Sequence, residues 1–141
     1  LPSTAAIIYN NGAGTLTRGE NGALGSIDGV TLGVNDRLLV KDQSNAVQNG
    51  LYSVTSVGSG GTPYILTRTT DADVANTEMK YGLYTSVTSG TVNGGKNYFM
   101  NTTGSITMGT SLLSFAEFTP AIVDEFGIQL DAGTSDMKLM D

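Results

Sequence analysis

The sequence predicts an all-β fold: an antiparallel β-sandwich or barrel of short strands, with at most one or two short helical turns. Apolar and polar residues alternate over short runs, and turn-forming residues interrupt these runs roughly every dozen positions. Of the 141 residues, 19 are Gly, 19 Thr, 12 Ser and 10 Asn, whereas charged residues make up only 14%. Ordinary domains carry about 25% charged residues. The composition is therefore typical of neither a long charged helix nor a charge-rich α/β enzyme.

Ten segments are predicted to be strands or hairpins, each closed by Gly, Asn or another turn residue. Asp28-Gly29 supplies the positive φ angles that a two-residue type I′ hairpin turn requires. The segment 51–57 has apolar side chains on both faces, so we expect it to be a central strand that buries Tyr52. The segments in chain order are 5–9, 15–18, 26–32, 37–41, 51–57, 64–69, 81–87, 96–101, 105–108 and 112–118.

Residues 70–79 break this alternation. Asp71 is a good N-cap, and Val74, Asn76 and Met79 are spaced for one or two turns of helix. Such a helix is too short to be stable alone, since isolated helices need about 12–15 residues. We therefore expect it to pack against the sheet.

The composition changes after Pro120, which divides the chain into a β module, residues 1–119, and a C-terminal segment, residues 120–141. The C-terminal segment is apolar with acidic interruptions. It is predicted to be a swapped arm or a linker. The alternative, a final strand that folds onto the same sheet, stays open.

The residue types exclude several classes of chemistry. The chain has no His and no Cys, which excludes a Ser-His-Asp triad, a Cys-His dyad, a Cys/His zinc site and a disulfide within it. The net charge is −6 and the seven cations are scattered, which argues against nucleic acid because phosphate backbones need clustered Lys and Arg. No apolar run approaches the ~20 residues of a membrane span. Neither a nucleic-acid partner nor membrane insertion is expected.

The predicted core is small and the strand edges are weakly defended. The chain has no Trp and no Cys, and only 7% of its residues are aromatic, so an isolated monomer would be modestly stable. Strands rich in Thr and Ser lack the edge Lys residues with which monomers prevent strand pairing. We therefore predict a homo-oligomer whose edges are covered by copies of the same chain.

One acidic group could collect oxygen ligands for a hard cation. Asp71, Asp73 and Glu78 are close in sequence, and carboxylates suit Ca²⁺. The alternative is that Asp71 caps the short helix and Asp73 lies in its first turn. The second interpretation is favoured, and no metal or cofactor is expected.

Four tyrosines are candidates for sugar binding, because aromatic faces stack on pyranose rings: Tyr9, Tyr64, Tyr84 and Tyr98. The alternative is that they are core residues, as strand aromatics usually are. Glycoside hydrolysis would need two carboxylates at a defined separation, and no spacing in the sequence selects a pair. The chain is therefore not predicted to be an enzyme.

Three segments carry a resemblance to a known family. Residues 27–43 read Ile-Asp-Gly-Val-Thr-Leu-Gly-Val-Asn-Asp-Arg-Leu-Leu-Val-Lys-Asp-Gln, residues 46–54 read Ala-Val-Gln-Asn-Gly-Leu-Tyr-Ser-Val, and residues 64–73 read Tyr-Ile-Leu-Thr-Arg-Thr-Thr-Asp-Ala-Asp. This succession, about a third of the chain, resembles a β-rich module of tail-fibre and other virion surface proteins of tailed bacteriophages. The sequence departs from the pattern at Tyr64, where Trp is common, and at Asn35, where Gly is usual.

The resemblance implies a structural or adhesive role on a virion, in a homotrimeric fibre or spike or as a capsid decoration. It implies no catalytic residue. A carbohydrate-recognising receptor-binding domain of the same fibre is the alternative, and a polysaccharide hydrolase or lyase domain is the third hypothesis. Contacts with other virion proteins are expected, and a host surface glycan is a further partner under the alternative.

The motif residues have a structural interpretation of their own. Turns are predicted at Asp28-Gly29 and at Gln48-Asn49-Gly50, and Asp36-Arg37 is expected to bond across a strand start. Arg68 is expected to form a directional fork with Asp71 or Asp73, which would hold the end of its strand against the next loop.

Overall fold

The computed structural model describes residues 5–119 in full and, beyond them, the backbone of three short strands, Ile122–Val123, Ile128–Leu130 and Met137–Leu139. The predicted all-β class is confirmed, because the described residues form strands with almost no helix, and the nine pairings between these strands are antiparallel. In the described part the helical content is a single 3₁₀ turn, Ala46–Gln48. The described sheets are open and do not form a closed barrel.

In the part of the chain that the structure describes, thirteen strands form four sheets. A five-stranded sheet has the order β1-β2-β7-β6-β5, a three-stranded sheet has the order β10-β9-β8, β3 and β4 form a hairpin, and a second three-stranded sheet has the order β11-β12-β13. The strands are β1 (Ile7–Asn10), β2 (Thr15–Arg18), β3 (Ser26–Ile27), β4 (Val30–Thr31), β5 (Arg37–Val40), β6 (Gly50–Ser56), β7 (Ile65–Arg68), β8 (Tyr84–Ser86), β9 (Asn97–Met100), β10 (Phe115–Phe118), β11 (Ile122–Val123), β12 (Ile128–Leu130) and β13 (Met137–Leu139).

The strand predicted to be central, β6, pairs with β5 on one side and β7 on the other. Its side chains alternate between two hydrophobic clusters, because successive residues of a strand point to opposite faces. Tyr52 and Val54, 0% and 1% exposed, belong to the first cluster, whereas Leu51 belongs to the second. The prediction of a buried Tyr52 on a two-sided strand is confirmed.

The two clusters hold the sheets together. The first cluster lies on one face of the five-stranded sheet, and Ile27 of the β3–β4 hairpin packs against it. The second joins Leu51 and Leu39 to Met100 of the three-stranded sheet and to Leu113 before β10. The strand pair β5–β6 therefore contributes to both clusters.

The helix predicted in residues 70–79 is wrong. Asn76 has a φ of +64°, a left-handed conformation that a right-handed helix does not contain. The segment is instead a series of turns, in which the N–H of Asn76 donates to the carbonyl of Met79 and the N–H of Met79 donates to the carbonyl of Val74.

One predicted strand is also absent from the described part. Residues 105–108 form no strand, because both backbone groups of Ile106 bond the side chain of Asn76 rather than a neighbouring strand. Strand β10 starts at Phe115, later than the predicted segment.

The strands beyond residue 119 pair only with one another where the structure describes them. The division of the chain at residue 120 stays a prediction. The side chains of residues 120–141 and the backbone between these strands lie outside the described part.

Candidate functional site

The motif residues converge on Arg68, which lies at the end of β7 and is 5% exposed. Its guanidinium donates hydrogen bonds to the carbonyl of Asn49 (2.9 Å), the carbonyl of Val47 (2.9 Å) and the hydroxyl of Tyr9 (3.1 Å). The guanidinium carbon lies 5.0 Å from the ring centroid of Tyr52 and 5.6 Å from that of Tyr9. The buried cation of Arg68 is thus held by three neutral oxygen acceptors and two aromatic faces. Together these contacts fix the plane of the guanidinium.

The predicted fork between Arg68 and Asp71 or Asp73 is wrong. Asp71 pairs instead with Arg37, whose Nη2 lies 2.8 Å from Oδ2 and 3.0 Å from Oδ1. Both of these side chains are more than half exposed, at 55% and 59%. The sheet register explains the difference, since it places Arg68 opposite Tyr52 and turns its side chain into the first cluster.

The predicted bond between Asp36 and Arg37 is also not what the structure shows. The Asp36 carboxylate accepts from the N–H of Gly33 at 2.8 Å and closes the turn before β5. Arg37 points towards Asp71.

Asn49 and Gly50 connect the 3₁₀ turn to β6 beside Arg68. Asn49 is 3% exposed; its Nδ2 donates to the carbonyl of Leu113 and its Oδ1 accepts from the N–H of Gln43. Gly50 has a φ of +147°, and a Cβ at this position would collide with the Arg68 guanidinium. The turn therefore needs Gly both for its backbone conformation and for the approach of Arg68.

Asp28 does more than form a turn. Asp28 and Gly29 have φ values of +50° and +75°, as a type I′ turn requires. The Asp28 carboxylate also accepts from the N–H groups of Asn93 (2.8 Å) and Val92 (2.9 Å), and its carbonyl accepts from the N–H of Thr91. The N–H groups of Asn93 and Val92 hold the pKa of Asp28 below its usual range. Asp28 thus ties the β3–β4 hairpin to the loop between β8 and β9, a role that the sequence did not signal.

A cleft of about 650 Å³ lies between β5 and β8, next to this hairpin. We call it the inter-sheet cleft. Lys41 and Tyr98 lie on its wall; the Lys41 Nζ is 5.3 Å from the Tyr98 ring centroid and 2.6 Å from Asp42 Oδ2. The hydrogen bond that the Lys41 ammonium donates to the Asp42 carboxylate raises the pKa of Lys41. The apolar lining is made of aliphatic side chains: Ile27, Val30, Leu32, Leu38, Leu39, Leu51 and Val87.

Three of the four candidate tyrosines are unsuited to stacking on a sugar. Tyr64 and Tyr98 are 0% and 4% exposed, because both point into the body of the molecule. Tyr9 is half-buried and its hydroxyl bonds Asn11 and Arg68. Those three assignments are corrected to core and structural roles.

Tyr84 is 68% exposed and belongs to a surface that we call the aromatic surface: Tyr81, Tyr84, Phe99 and Phe118. The rings of the aromatic surface meet edge to face, with their centroids 5.8–6.4 Å apart. Tyr84 lies opposite Phe99 in the β8–β9 ladder. Tyr84 and Ser86 share one face of β8, and Asn97 and Phe99 share one face of β9, because the members of each pair are two positions apart; neither strand alone shows that the rings meet.

A polar pair adjoins the aromatic surface. Ser86 lies opposite Asn97 in the same ladder, and its hydroxyl donates to Asn97 Oδ1 at 2.6 Å. The face therefore combines exposed rings with hydrogen-bonding groups, which is the chemistry that binds sugars.

The acidic candidates do not form a metal centre. Asp71 is occupied by Arg37, while Glu78 Oε2 accepts from the N–H groups of Asp73 and Val74. Partial burial and the nearby Glu78 raise the pKa of Asp73. Within the described part, no three His, Cys, Asp or Glu residues are grouped as metal ligands. Capping of backbone N–H groups does occur here, but Glu78 rather than Asp71 provides it.

Among the residues that the structure describes, no helix has the length and apolar character to cross a bilayer. Comparison of the chain with protein-family models, curated proteins and solved structures finds no match in any of the three.

Proposed function

We propose that this chain is a non-enzymatic structural module of a tailed-bacteriophage virion, in a tail fibre, a spike or a capsid decoration, and that it works as a homo-oligomer, a trimer by the resemblance. The observation that carries the proposal is the arrangement around Arg68. Each of the three segments that carry the resemblance contributes structural contacts. Asp28 bonds the β3–β4 hairpin to the loop between β8 and β9, Asn49 and Gly50 form the turn before β6, and Arg68 donates a hydrogen bond to that turn.

The open edges of the sheets support the oligomer. Strand β1 lies at one edge of the five-stranded sheet and contains no Lys and no Pro. Ile8, in the middle of this strand, is 58% exposed. An undefended edge with an exposed β-branched residue favours pairing with another chain.

The molar mass of the recombinant chain in solution tests the proposal. Multi-angle light scattering at micromolar concentration is expected to give a multiple of the 14.6 kDa chain mass, and electron microscopy a symmetric particle. Mass spectrometry of purified virions that encode the chain is expected to detect it. A monomer at every concentration, or its absence from virions, would contradict the proposal.

A carbohydrate-recognising receptor-binding domain is the second candidate, and the aromatic surface favours it. Exposed rings can stack on pyranoses, and the adjoining Ser86 and Asn97 can bond sugar hydroxyls. A glycan array probed with the wild-type chain and with Tyr84→Ala tests it, with Leu112→Ala as a control that removes exposed apolar area elsewhere.

Binding that Tyr84→Ala abolishes and Leu112→Ala preserves would support this candidate, whereas no binding would favour the purely structural role. A reducing-sugar assay on any bound glycan completes the design. Release of new reducing ends would contradict a non-enzymatic role.

A further inference from the structure

The sequence contains the dipeptide Asn-Gly four times, a pair of residues that can modify itself. The pairs are Asn11-Gly12, Asn21-Gly22, Asn49-Gly50 and Asn93-Gly94. The backbone nitrogen of the Gly can attack the side-chain amide of the Asn and close a cyclic imide, because Gly has no Cβ to obstruct the approach. In a folded chain the reaction needs a free Gly N–H, access to water, and a donor for the negative charge that develops on Oδ1.

At three of the pairs the fold withholds the nucleophile or the water. The N–H of Gly22 donates to the carbonyl of Thr62 at 3.0 Å, and the N–H of Gly94 donates to the carbonyl of Gly90 at 3.2 Å. An amide nitrogen attacks only after it has lost its proton, and a carbonyl acceptor holds that proton in place. Asn49 is 3% exposed, and both ends of its side-chain amide are hydrogen-bonded within the chain. These three pairs are therefore protected.

The pair Asn11-Gly12 lacks this protection. It lies in the turn between β1 and β2, and both residues are exposed. The N–H of Gly12 has no hydrogen-bond partner among the residues that the structure describes. The nucleophile of this pair is thus open to solvent and free to lose its proton.

A chain of hydrogen bonds that starts at a cation ends on the Asn11 side chain. The Arg68 guanidinium donates to the hydroxyl of Tyr9 at 3.1 Å, and this hydroxyl donates to Asn11 Oδ1 at 2.9 Å. A hydroxyl that accepts a bond from a cation becomes a stronger donor, because the bonds in such a chain polarise one another. When Cγ becomes tetrahedral, negative charge develops on the oxygen that Tyr9 already bonds. The Tyr9 hydroxyl therefore occupies the position of an oxyanion donor.

The other end of the Asn11 amide is bonded to the loop before β10. Nδ2 donates to the carbonyl of Met108 at 3.2 Å, and the amide packs so closely on Gly109 that a Cβ there would collide with it. These contacts orient the amide with Oδ1 towards Tyr9. They also link the reaction to the fold, since a carboxylate in place of the amide cannot donate to the Met108 carbonyl.

We propose that Asn11 is a site of spontaneous deamidation, in which the nitrogen of Gly12 attacks Asn11 Cγ while the Tyr9 hydroxyl stabilises the charge on Oδ1. The amide proton of Gly12 passes to water, a bond forms between its nitrogen and Cγ, and the bond between Cγ and Nδ2 breaks. Nδ2 takes a proton from water and leaves as ammonia. Water then opens the imide at either carbonyl, which gives aspartate or isoaspartate at position 11. The inference is independent of the proposed virion role.

The rates at the four pairs test the assignment, and the wild-type chain supplies its own controls. The full chain is incubated at neutral pH and digested, and deamidated and isoaspartyl peptides are quantified by mass spectrometry. We expect position 11 to react about tenfold faster, or more, than positions 21, 49 and 93. Equal rates, or a faster reaction at any of the other three positions, would overturn the inference.

The same incubation in urea separates activation by the fold from simple exposure. Unfolding frees the four Gly N–H groups and removes the Tyr9 donor, so the four rates should converge. We expect position 11 to react more slowly in urea and the other three positions to react faster. A faster reaction of position 11 in urea would show that the fold protects Asn11, and the inference would be rejected.

Tyr9→Phe removes the donor hydroxyl and is expected to lower the rate at position 11 by about tenfold or more, with position 21 unchanged. Tyr98→Phe is the matched control, because it removes a hydroxyl that bonds Oδ1 of Asn93, where the Gly94 N–H is occupied. This control should leave position 11 unchanged. Faster reaction at position 49 would reveal unfolding of either variant, and the urea comparison on the wild-type chain then decides. An unchanged rate at position 11 in folded Tyr9→Phe would overturn the inference.

Discussion

Arg68→Ala is the most direct test of the scaffold around which the motif residues are arranged. The substitution removes a guanidinium that is 5% exposed together with its bonds to two backbone carbonyls and one hydroxyl. It also empties the space between the rings of Tyr9 and Tyr52.

The expected loss of stability is large because the backbone carbonyls of Asn49 and Val47, which Arg68 bonds, stay buried without their donor. Hydrogen bonds from a charged donor contribute about 1.5–3 kcal/mol each, and a buried carbonyl that loses its donor costs about 1–3 kcal/mol. These contributions overlap, so we expect Arg68→Ala to lower the free energy of unfolding by about 3–5 kcal/mol, the range for breaking a buried charged network. For a domain near 100 residues this is a decrease in Tm of roughly 10–20 °C.

The measurement is chemical and thermal unfolding followed by circular dichroism, at fixed protein concentration because the chain is proposed to associate. Arg37→Ala is the matched control: it removes the same side chain from an exposed pair and should change the free energy of unfolding by less than about 1 kcal/mol. Equally small effects from the two substitutions would refute the assignment of Arg68 as a buried structural residue.

Three further predictions follow from individual contacts. Gly50→Ala should lower the free energy of unfolding by about 1–3 kcal/mol, because Gly50 has a positive φ and a Cβ there would meet Arg68. Gly60 lies in open space, so Gly60→Ala should change the free energy of unfolding by less than about 0.5 kcal/mol in the same assay. Tyr52→Phe should lower the free energy of unfolding by about 0.5–1.5 kcal/mol, since the Tyr52 hydroxyl donates to a backbone carbonyl at 2.6 Å. Tyr64→Phe should be neutral or stabilising, because the Tyr64 hydroxyl has no partner among the described residues. Equal losses of stability in the two variants would contradict this. The pKa of Asp28 is lower in the folded chain than its unfolded value of 3.8, so its charge stabilises the fold above that value, and this stability is lost as the pH falls through the folded pKa. The difference in Tm between wild type and Asp28→Asn should therefore be greatest near about pH 7 and shrink at about pH 2. A difference that is the same at both pH values would show that the charge of Asp28 does not contribute.

Local signals predicted the fold class and the elements that depend on neighbouring residues. The alternation in residues 51–57 places apolar side chains on both faces, which predicts a central strand. In the structure β6 lies between β5 and β7. The turn at Asp28-Gly29 was predictable because its φ angles depend on these two residues alone.

Partners distant in the sequence were not predictable in the same way. Arg68 and Asp71 are three residues apart, and this proximity suggested an ion pair, but β7 directs Arg68 towards Val47 and Asn49. The segment around Asn76 had helical spacing, yet the Asn76 side chain bonds both backbone groups of Ile106, a tertiary contact that replaces the helix. The aromatic surface depends on three strands coming together, and no single strand reveals it.

The position of the motif explains why a structural module would depend on it. Tyr52 belongs to the first hydrophobic cluster and Leu51 to the second, so the start of β6 lies where the two meet. Asn49, just before this strand, bonds the carbonyl of Leu113 in the second cluster, and its own carbonyl accepts from Arg68 among the first-cluster rings. The turn before β6 is thus bonded both to Arg68 beside the first cluster and to Leu113 of the second.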